Sequence, residues 1–268
     1  MPITISFITA NYVARARRYS GENDWGVHDR ATVEQSRADP FDAVARDVQA
    51  AGFDAVDVWM AHCHWRSHDA ARLRHVRESC GKHGLRITSY AGGLHANTPA
   101  DLEQPLRFMG ELGAPVLAGG LWGGMAPADV CKAVQAVGDK YNVSWGLENH
   151  PEKSVDEILA KIGGGQYPRV GVALDTGWCI TQQFDALDAV RRVADRGKLM
   201  LLHLKDVTRL GGHDTCAIGD GVLPAEQIVR HLKRTGWTGT ICIEHEPYDR
   251  DPMPEVKTSL ARVREWLS

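Results

Sequence analysis

The chain has 268 residues, 43% hydrophobic and 24% charged, with a formal net charge of −3. Such a length suits one large α/β domain or two small ones, and the balance excludes a disordered chain. With no basic run and only strand-sized apolar stretches, neither nucleic acid nor a membrane is an expected partner.

Ile3–Ala10 reads as a first strand, rich in β-branched residues. The polar, Arg-rich stretch 14–39 is expected to be a loop or insertion. Pro40 opens an amphipathic helix ending near Gly52, with Ala43, Val44, Val48 and Ala51 at helical spacing. Ala55–Trp59 is the second strand, and Ala70–His83 a helix closed by Gly84. Leu85–Tyr90 is the third strand, followed by a helix over Pro99–Leu112 that Gly113 ends. Pro115–Ala118 is the fourth strand; a Gly-Gly-Leu-Trp-Gly-Gly loop leads to a helix over Pro127–Tyr141.

Val143–Leu147 is the fifth strand, followed by a helix over Val155–Ile162. Gly163-Gly164-Gly165 then either ends that helix or forms a phosphate loop. No Lys/Arg cluster accompanies the glycines, which favours an unphosphorylated substrate. Val170–Leu174 and Leu199–Leu204 are the sixth and seventh strands, separated by a helix around Asp185–Asp195. Pro224–Arg234 is a helix, Thr240–Ile243 the eighth strand, and Pro254–Leu267 the closing helix. Eight βα units in 268 residues predict one (β/α)8 TIM barrel spanning residues 1–268. The strands are continuous apolar runs, as when both faces are covered, and no linker divides the chain.

The six cysteines are scattered without a Cys-x-x-Cys pair, so neither a zinc knuckle nor a disulfide framework is expected. Most read as small buried apolar residues, with Cys179 and Cys216 near predicted site loops. The N-terminus lacks a basic region followed by a signal-length apolar core, and the expected location is the cytoplasm.

Every strand of a barrel ends at the same mouth, where active sites lie. Glu148 ends Val-Ser-Trp-Gly-Leu-Glu, and Asp175 ends Val-Gly-Val-Ala-Leu-Asp. His203 lies within Leu-Met-Leu-Leu-His-Leu-Lys-Asp, and Glu244 ends Gly-Thr-Ile-Cys-Ile-Glu. Taken singly, an acid after a strand is as readily a helix N-cap. Together, three carboxylates and one imidazole would repel unless a cation lay between them. An oxygen-rich set with one His suits Mn²⁺, Mg²⁺ or Co²⁺ better than a thiolate-seeking metal.

The strand ends Gly-Leu-Glu-Asn-His, Ala-Leu-Asp-Thr-Gly, His-Leu-Lys-Asp-Val and Ile-Glu-His-Glu, with Gly-Asp-Gly-Val-Leu-Pro, carry a resemblance. They resemble the xylose isomerase-like barrels of the sugar phosphate isomerase/epimerase branch. The resemblance implies one divalent metal per chain, Mn²⁺ first, held by Glu148, Asp175, His203 and Glu244. It implies proton abstraction beside the carbonyl of a keto sugar, through an enediolate, with Glu148 and Glu244 as the acid/base pair. Arg209 matches a substrate-contacting arginine of similar epimerases. Lys205 and Asp206 are expected to orient neighbours.

The chain also departs from the resembling pattern. Where several relatives carry Asp-x-x-His, it reads Asp175-Thr-Gly-Trp178, and Ser154 stands where an epimerase-like glutamate would. Trp178 either stacks on a sugar face or plugs the mouth. His150 and His213 follow ligand-bearing strands and are candidates for proton transfer and substrate contact. Tyr90, His95, His62 and Trp122 are candidates for the opposite wall. This supply of histidine keeps open β-elimination from a 3-keto sugar or 3-keto-glycoside, as in similar dehydratases and C-glycoside deglycosidases. An endonuclease of the same fold and a non-catalytic sugar-binding barrel are further alternatives. A homo-oligomer is implied by the resemblance, with an accessory chain left open.

Overall fold

The computed structural model describes residues 2–268. Eight strands form the barrel. They are β1 (Thr4–Ile8), β2 (Ala55–Trp59), β3 (Arg86–Ala91) and β4 (Val116–Gly119). The second half supplies β5 (Ser144–Glu148), β6 (Val170–Asp175), β7 (Leu199–Val207) and β8 (Thr240–Glu244). Each is parallel to its chain neighbours, and β8 pairs with β1, closing the ring. The expected (β/α)8 barrel is the observed fold.

The outer layer holds α1 (Trp25–Gln35), α2 (Asp42–Ala50), α3 (Ala70–Lys82), α4 (Glu103–Leu112) and α5 (Pro127–Tyr141). It continues through α6 (Val155–Lys161), α7 (Thr176–Thr181), α8 (Ala186–Asp195), α9 (Ala225–Arg234) and α10 (Met253–Leu267). Side-chain caps start several of them: Asp69 accepts from the Arg72 N–H, and Asp185 from the Asp188 N–H. Gly113, at φ 82°, ends α4 in the left-handed conformation that costs glycine least.

Two apolar layers follow from this winding. The larger lies between strands and helices, with Val48, Leu106, Val134, Ile158, Val190 and Val256 buried in it. The smaller lies inside the barrel and is built largely from short side chains, among them Ala91, Ala118, Ala173 and Cys242. Short residues inside the ring leave room for a cavity above them.

Sequence and structure differ in three places that bear on the site. Within 14–39, Asp24 caps α1 through the Val27 N–H, which brings Trp25 towards the barrel mouth. Strand β7 runs on through His203, Lys205 and Asp206 to Val207, because β8 and the short strand Thr215–Cys216 pair along it. Helix α7 starts directly at Asp175, whose Oδ1 accepts from the N–H groups of Gly177 and Trp178.

Candidate active site

Parallel register sets the site in two levels. His203 on β7 pairs with Asp175 on β6 and with Cys242 on β8. Two residues nearer the mouth, Lys205 pairs with Glu244. Period-two alternation points His203 and Lys205 to the same side of β7.

At the lower level, His203 is fully buried between carboxylates. Its Nδ1 lies 2.6 Å from Glu148 Oε1 and 3.4 Å from Glu244 Oε2, while its Nε2 lies 3.0 Å from Asp57 Oδ2. Burial alone would depress the imidazole, but the Glu148 and Glu244 charges and the Asp57 hydrogen bond push it well above its usual range. In the same way, burial would raise the Glu148 carboxyl, and the charges of His203 and His150 bring it below the usual carboxylate range.

At the upper level, the Lys205 ammonium is held by three carboxylates. Nζ lies 2.6 Å from Glu246 Oε2, 2.8 Å from Glu244 Oε1 and 3.5 Å from Asp175 Oδ2. Burial opposes the charge, but these three carboxylates outweigh it and raise the lysine well above its ordinary value. Burial lifts Glu246 well above its own, and Lys205 offsets that only in part. Asp206 turns away from this cluster. It accepts from the N–H groups of Val207, Gly219, Gly221 and Leu223, and so fixes the loop before α9.

Glu148, His203 and Glu244 bring ligand atoms within 4.8 Å of one another. Glu244 Oε2 is buried without a hydrogen-bond partner. An unpartnered buried carboxylate oxygen beside an imidazole nitrogen fits a divalent cation better than the protein alone. The Asp57 contact would keep the proton on Nε2 and leave Nδ1 as a ligand atom. A second trio, Asp57, His203 and Cys242, is equally close. Burial pushes the Cys242 thiol well above its usual range, and its Sγ lies 3.7 Å from Asp57 Oδ2. Asp175 faces the same floor from the far side of Lys205, with Oδ1 committed to the α7 cap and Oδ2 towards the ammonium.

Above the floor lies a cavity of about 620 Å³. Glu148, Asp175, Glu244, His150, Trp178, His213, His95 and Trp122, all anticipated from sequence, line it together. His203 sits beneath, in contact with Glu148. Three anticipated residues are not brought to the cavity. Tyr90 is buried, its hydroxyl donating to the Cys63 carbonyl at 3.0 Å. His62 lies in a separate groove between α1, α2 and α3, and its ring contacts Thr9. Arg209 is exposed on the loop after β7.

Residues not anticipated as site residues also contribute. Lys205, Glu246, Trp25, Trp59, Trp65 and Tyr248 line the cavity, and Asp57 braces His203 from below. Asp57 carried a readable signal, being a lone acid inside the apolar run Ala-Val-Asp-Val-Trp. Trp25 carried none, since its segment is polar and lacks helical periodicity.

A closed (β/α)8 barrel with acids and a histidine at the C-terminal ends of its later strands defines a class in which the strand ends carry the chemistry. The chain belongs to the xylose isomerase-like TIM barrel family, whose sequence model matches residues 45–266. Solved structures share the fold at low identity. A D-allulose 3-epimerase from Methylomonas sp. is 16% identical, with a TM-score of 0.68 over 99% of this chain and 98% of that one. The probable 3-DHS dehydratase involved in petrobactin synthesis from Bacillus anthracis is 12% identical, with a TM-score of 0.67 over 98% and 99%. A xylose isomerase domain protein from Planctomyces limnophilus is 20% identical, with a TM-score of 0.63 over 82% and 89%. Among the described residues, no helix is long and apolar enough to cross a membrane.

Proposed function

We propose that this protein is a divalent-metal-dependent enzyme that removes a proton beside the carbonyl of a keto sugar, isomerising or epimerising it. One observation carries the reading: His203 Nδ1 lies between Glu148 Oε1 and Glu244 Oε2, with Nε2 anchored on buried Asp57. Glu148, His203 and Glu244 would hold the ion, with Asp175 facing it across the floor; Mn²⁺ suits this oxygen-rich set, as do Mg²⁺ and Co²⁺. The cation would supply a Lewis acid for the negative charge that develops on oxygen in an enediolate.

The remaining work falls to side chains. Glu148 and Glu244 arrive from β5 and β8, different parts of the ring, and so can reach opposite faces of a bound sugar. One takes the proton from carbon and the other returns it. Lys205 holds the Glu244 carboxylate in place through its 2.8 Å contact. Glu244 and Lys205 are buried in the floor, and the low dielectric there strengthens their interaction.

Elimination is the second reading, favoured by the two imidazoles at the rim. His150 Nε2 lies 3.7 Å from Glu148 Oε2, and the His213 ring lies 4.5 Å from the Trp178 ring, tilted by 41°. Either imidazole can give a proton to a group leaving from the β carbon. A panel of ketoses and 3-keto-glycosides, incubated in D₂O with Mn²⁺, separates the readings. Deuterium gain at the carbon beside the carbonyl with an isomerised product supports the first; an enone with a released group supports the second. No exchange with any of them contradicts both.

A further inference from the structure

We infer that the mouth of the cavity is a subsite for a planar aromatic group attached to the sugar, so that the substrate class is an aryl-substituted sugar rather than a free monosaccharide. This deepens the proposed function and rests on it for the position of the reacting sugar.

The observation is where the tryptophans lie. The chain has 8 tryptophans, and Trp25, Trp59, Trp65, Trp122 and Trp178 all line the one cavity above the charged floor. They form two arcs. Trp25 and Trp59 pair on the β1–β2 side with ring centroids 5.2 Å apart. On the β4–β7 side, Trp122, His150, Trp178 and His213 follow one another at 6.1, 5.2 and 4.5 Å. Successive rings are tilted to one another, by 60° for Trp25–Trp59 and by 49°, 56° and 41° along the second arc, so each can offer its own face or edge to an incoming ring.

Core packing does not account for the outermost rings. Trp25 is 40% exposed and Trp122 is 52% exposed. Trp122 nevertheless has a built seat. A Cβ on Gly93 would stand 1.8 Å from its ring, and one on Gly120 would stand 2.7 Å from it. Two glycines therefore make room for an indole that faces solvent, which is costly unless something covers it.

The lining favours an aromatic ring over a second sugar. A sugar needs hydrogen-bond partners around its edge, but on the Trp122–His213 arc the imidazole Nδ1 atoms are turned inward. His150 Nδ1 faces the Glu148 carbonyl at 3.3 Å and His213 Nδ1 faces Thr181 Oγ1 at 3.2 Å. What remains on that arc is the two imidazole Nε2 atoms and the rings of Trp122 and Trp178, few polar partners for the hydroxyls of a second sugar. The cavity of about 620 Å³ also exceeds the need of one hexose and lies within the range that encloses drug-sized ligands.

The test is calorimetry on the intact protein with Mn²⁺ present. The ligands are matched phenyl and methyl β-glycosides of D-glucose, D-galactose and D-xylose, the disaccharide cellobiose, and a sugar-free flavone. At least one phenyl glycoside should bind about tenfold or more tighter than its methyl partner, from the added ring burial and stacking. Trp122→Ala and Trp25→Ala should each reduce that preference several-fold, with Mn²⁺ uptake unchanged. Equal affinities within every pair would overturn the inference, as would cellobiose binding more tightly than any phenyl glycoside. Absence of binding by all glycosides and the flavone would overturn it too. Failure of Mn²⁺ uptake with the aryl preference intact would sink the metal reading and leave this one standing.

Discussion

Asp57 and His203 form a fully buried pair, with Asp57 Oδ2 3.0 Å from His203 Nε2 on the side of the ring away from Glu148 and Glu244. A carboxylate behind an imidazole fixes both the tautomer and the ring plane, so the nitrogen on the other side is presented for a purpose. Asp57→Ala should therefore weaken Mn²⁺ affinity by about 10- to 100-fold while the barrel stays folded. Titration calorimetry reads this directly, and an unchanged affinity would remove Asp57 from the account.

Lys205 is the positive charge among Asp175, Glu244 and Glu246, and its side chain is 3% exposed. Lys205→Met leaves three buried carboxylates without that partner. Breaking a buried pair in this way costs about 3–5 kcal/mol, which urea denaturation should show as a lower midpoint. Added Mn²⁺ should recover part of the loss, since a cation at the neighbouring site also faces Glu244. A variant as stable as the wild type would show that the ammonium is not what stabilises the floor.

His62 sets a pH dependence away from the floor. Burial first, and then the Arg72 and Arg15 charges, lower it from 6.5 to about 3. The folded state thus keeps the ring neutral while the unfolded chain takes up a proton below 6.5. Stability is lost as pH falls from 6.5 towards about 3. Between pH 7 and pH 5 this one residue should remove roughly 2 kcal/mol. His62→Gln should flatten that part of the urea-midpoint profile, and a slope equal to the wild type's would contradict the assignment.

The seat of Trp122 gives a packing prediction. Gly120→Val introduces side-chain atoms where a Cβ already stands 2.7 Å from the indole. The ring must swing away, and its fluorescence should shift and become more accessible to acrylamide. Global stability should fall by only about 1–3 kcal/mol, since the displaced ring is half in solvent. An unchanged emission spectrum would show that the seat is not as described.

The barrel was legible because βα alternation, apolar strands and glycine stops repeat along the chain. Helix α5 spans Pro127–Tyr141 and β2 spans Ala55–Trp59, both as the pattern predicts. The floor was partly legible for a simple reason: strand ends are marked in sequence, and a barrel converts those marks into a ring. What a single sequence does not show is pairing across the ring. Asp57 meets His203 from a strand far away in sequence, and Lys205 meets Glu246 only because β7 extends beyond its apolar run. Helix α7 was hidden because Thr176 and Gly177 are poor helix formers, and its cap is the same Asp175 that faces the floor.

The central claim is that Glu148, His203 and Glu244 hold a cation. It is tested most directly by elemental analysis of protein purified without chelator, followed by Mn²⁺ titration of the wild type and of Glu148→Gln and Glu244→Gln. The account predicts about one divalent ion per chain, lost or strongly weakened in both variants while their circular dichroism is unchanged. A wild-type chain that carries no metal and takes none up would contradict it, and would make His203 and its carboxylates a buried ion-pair cluster of the scaffold.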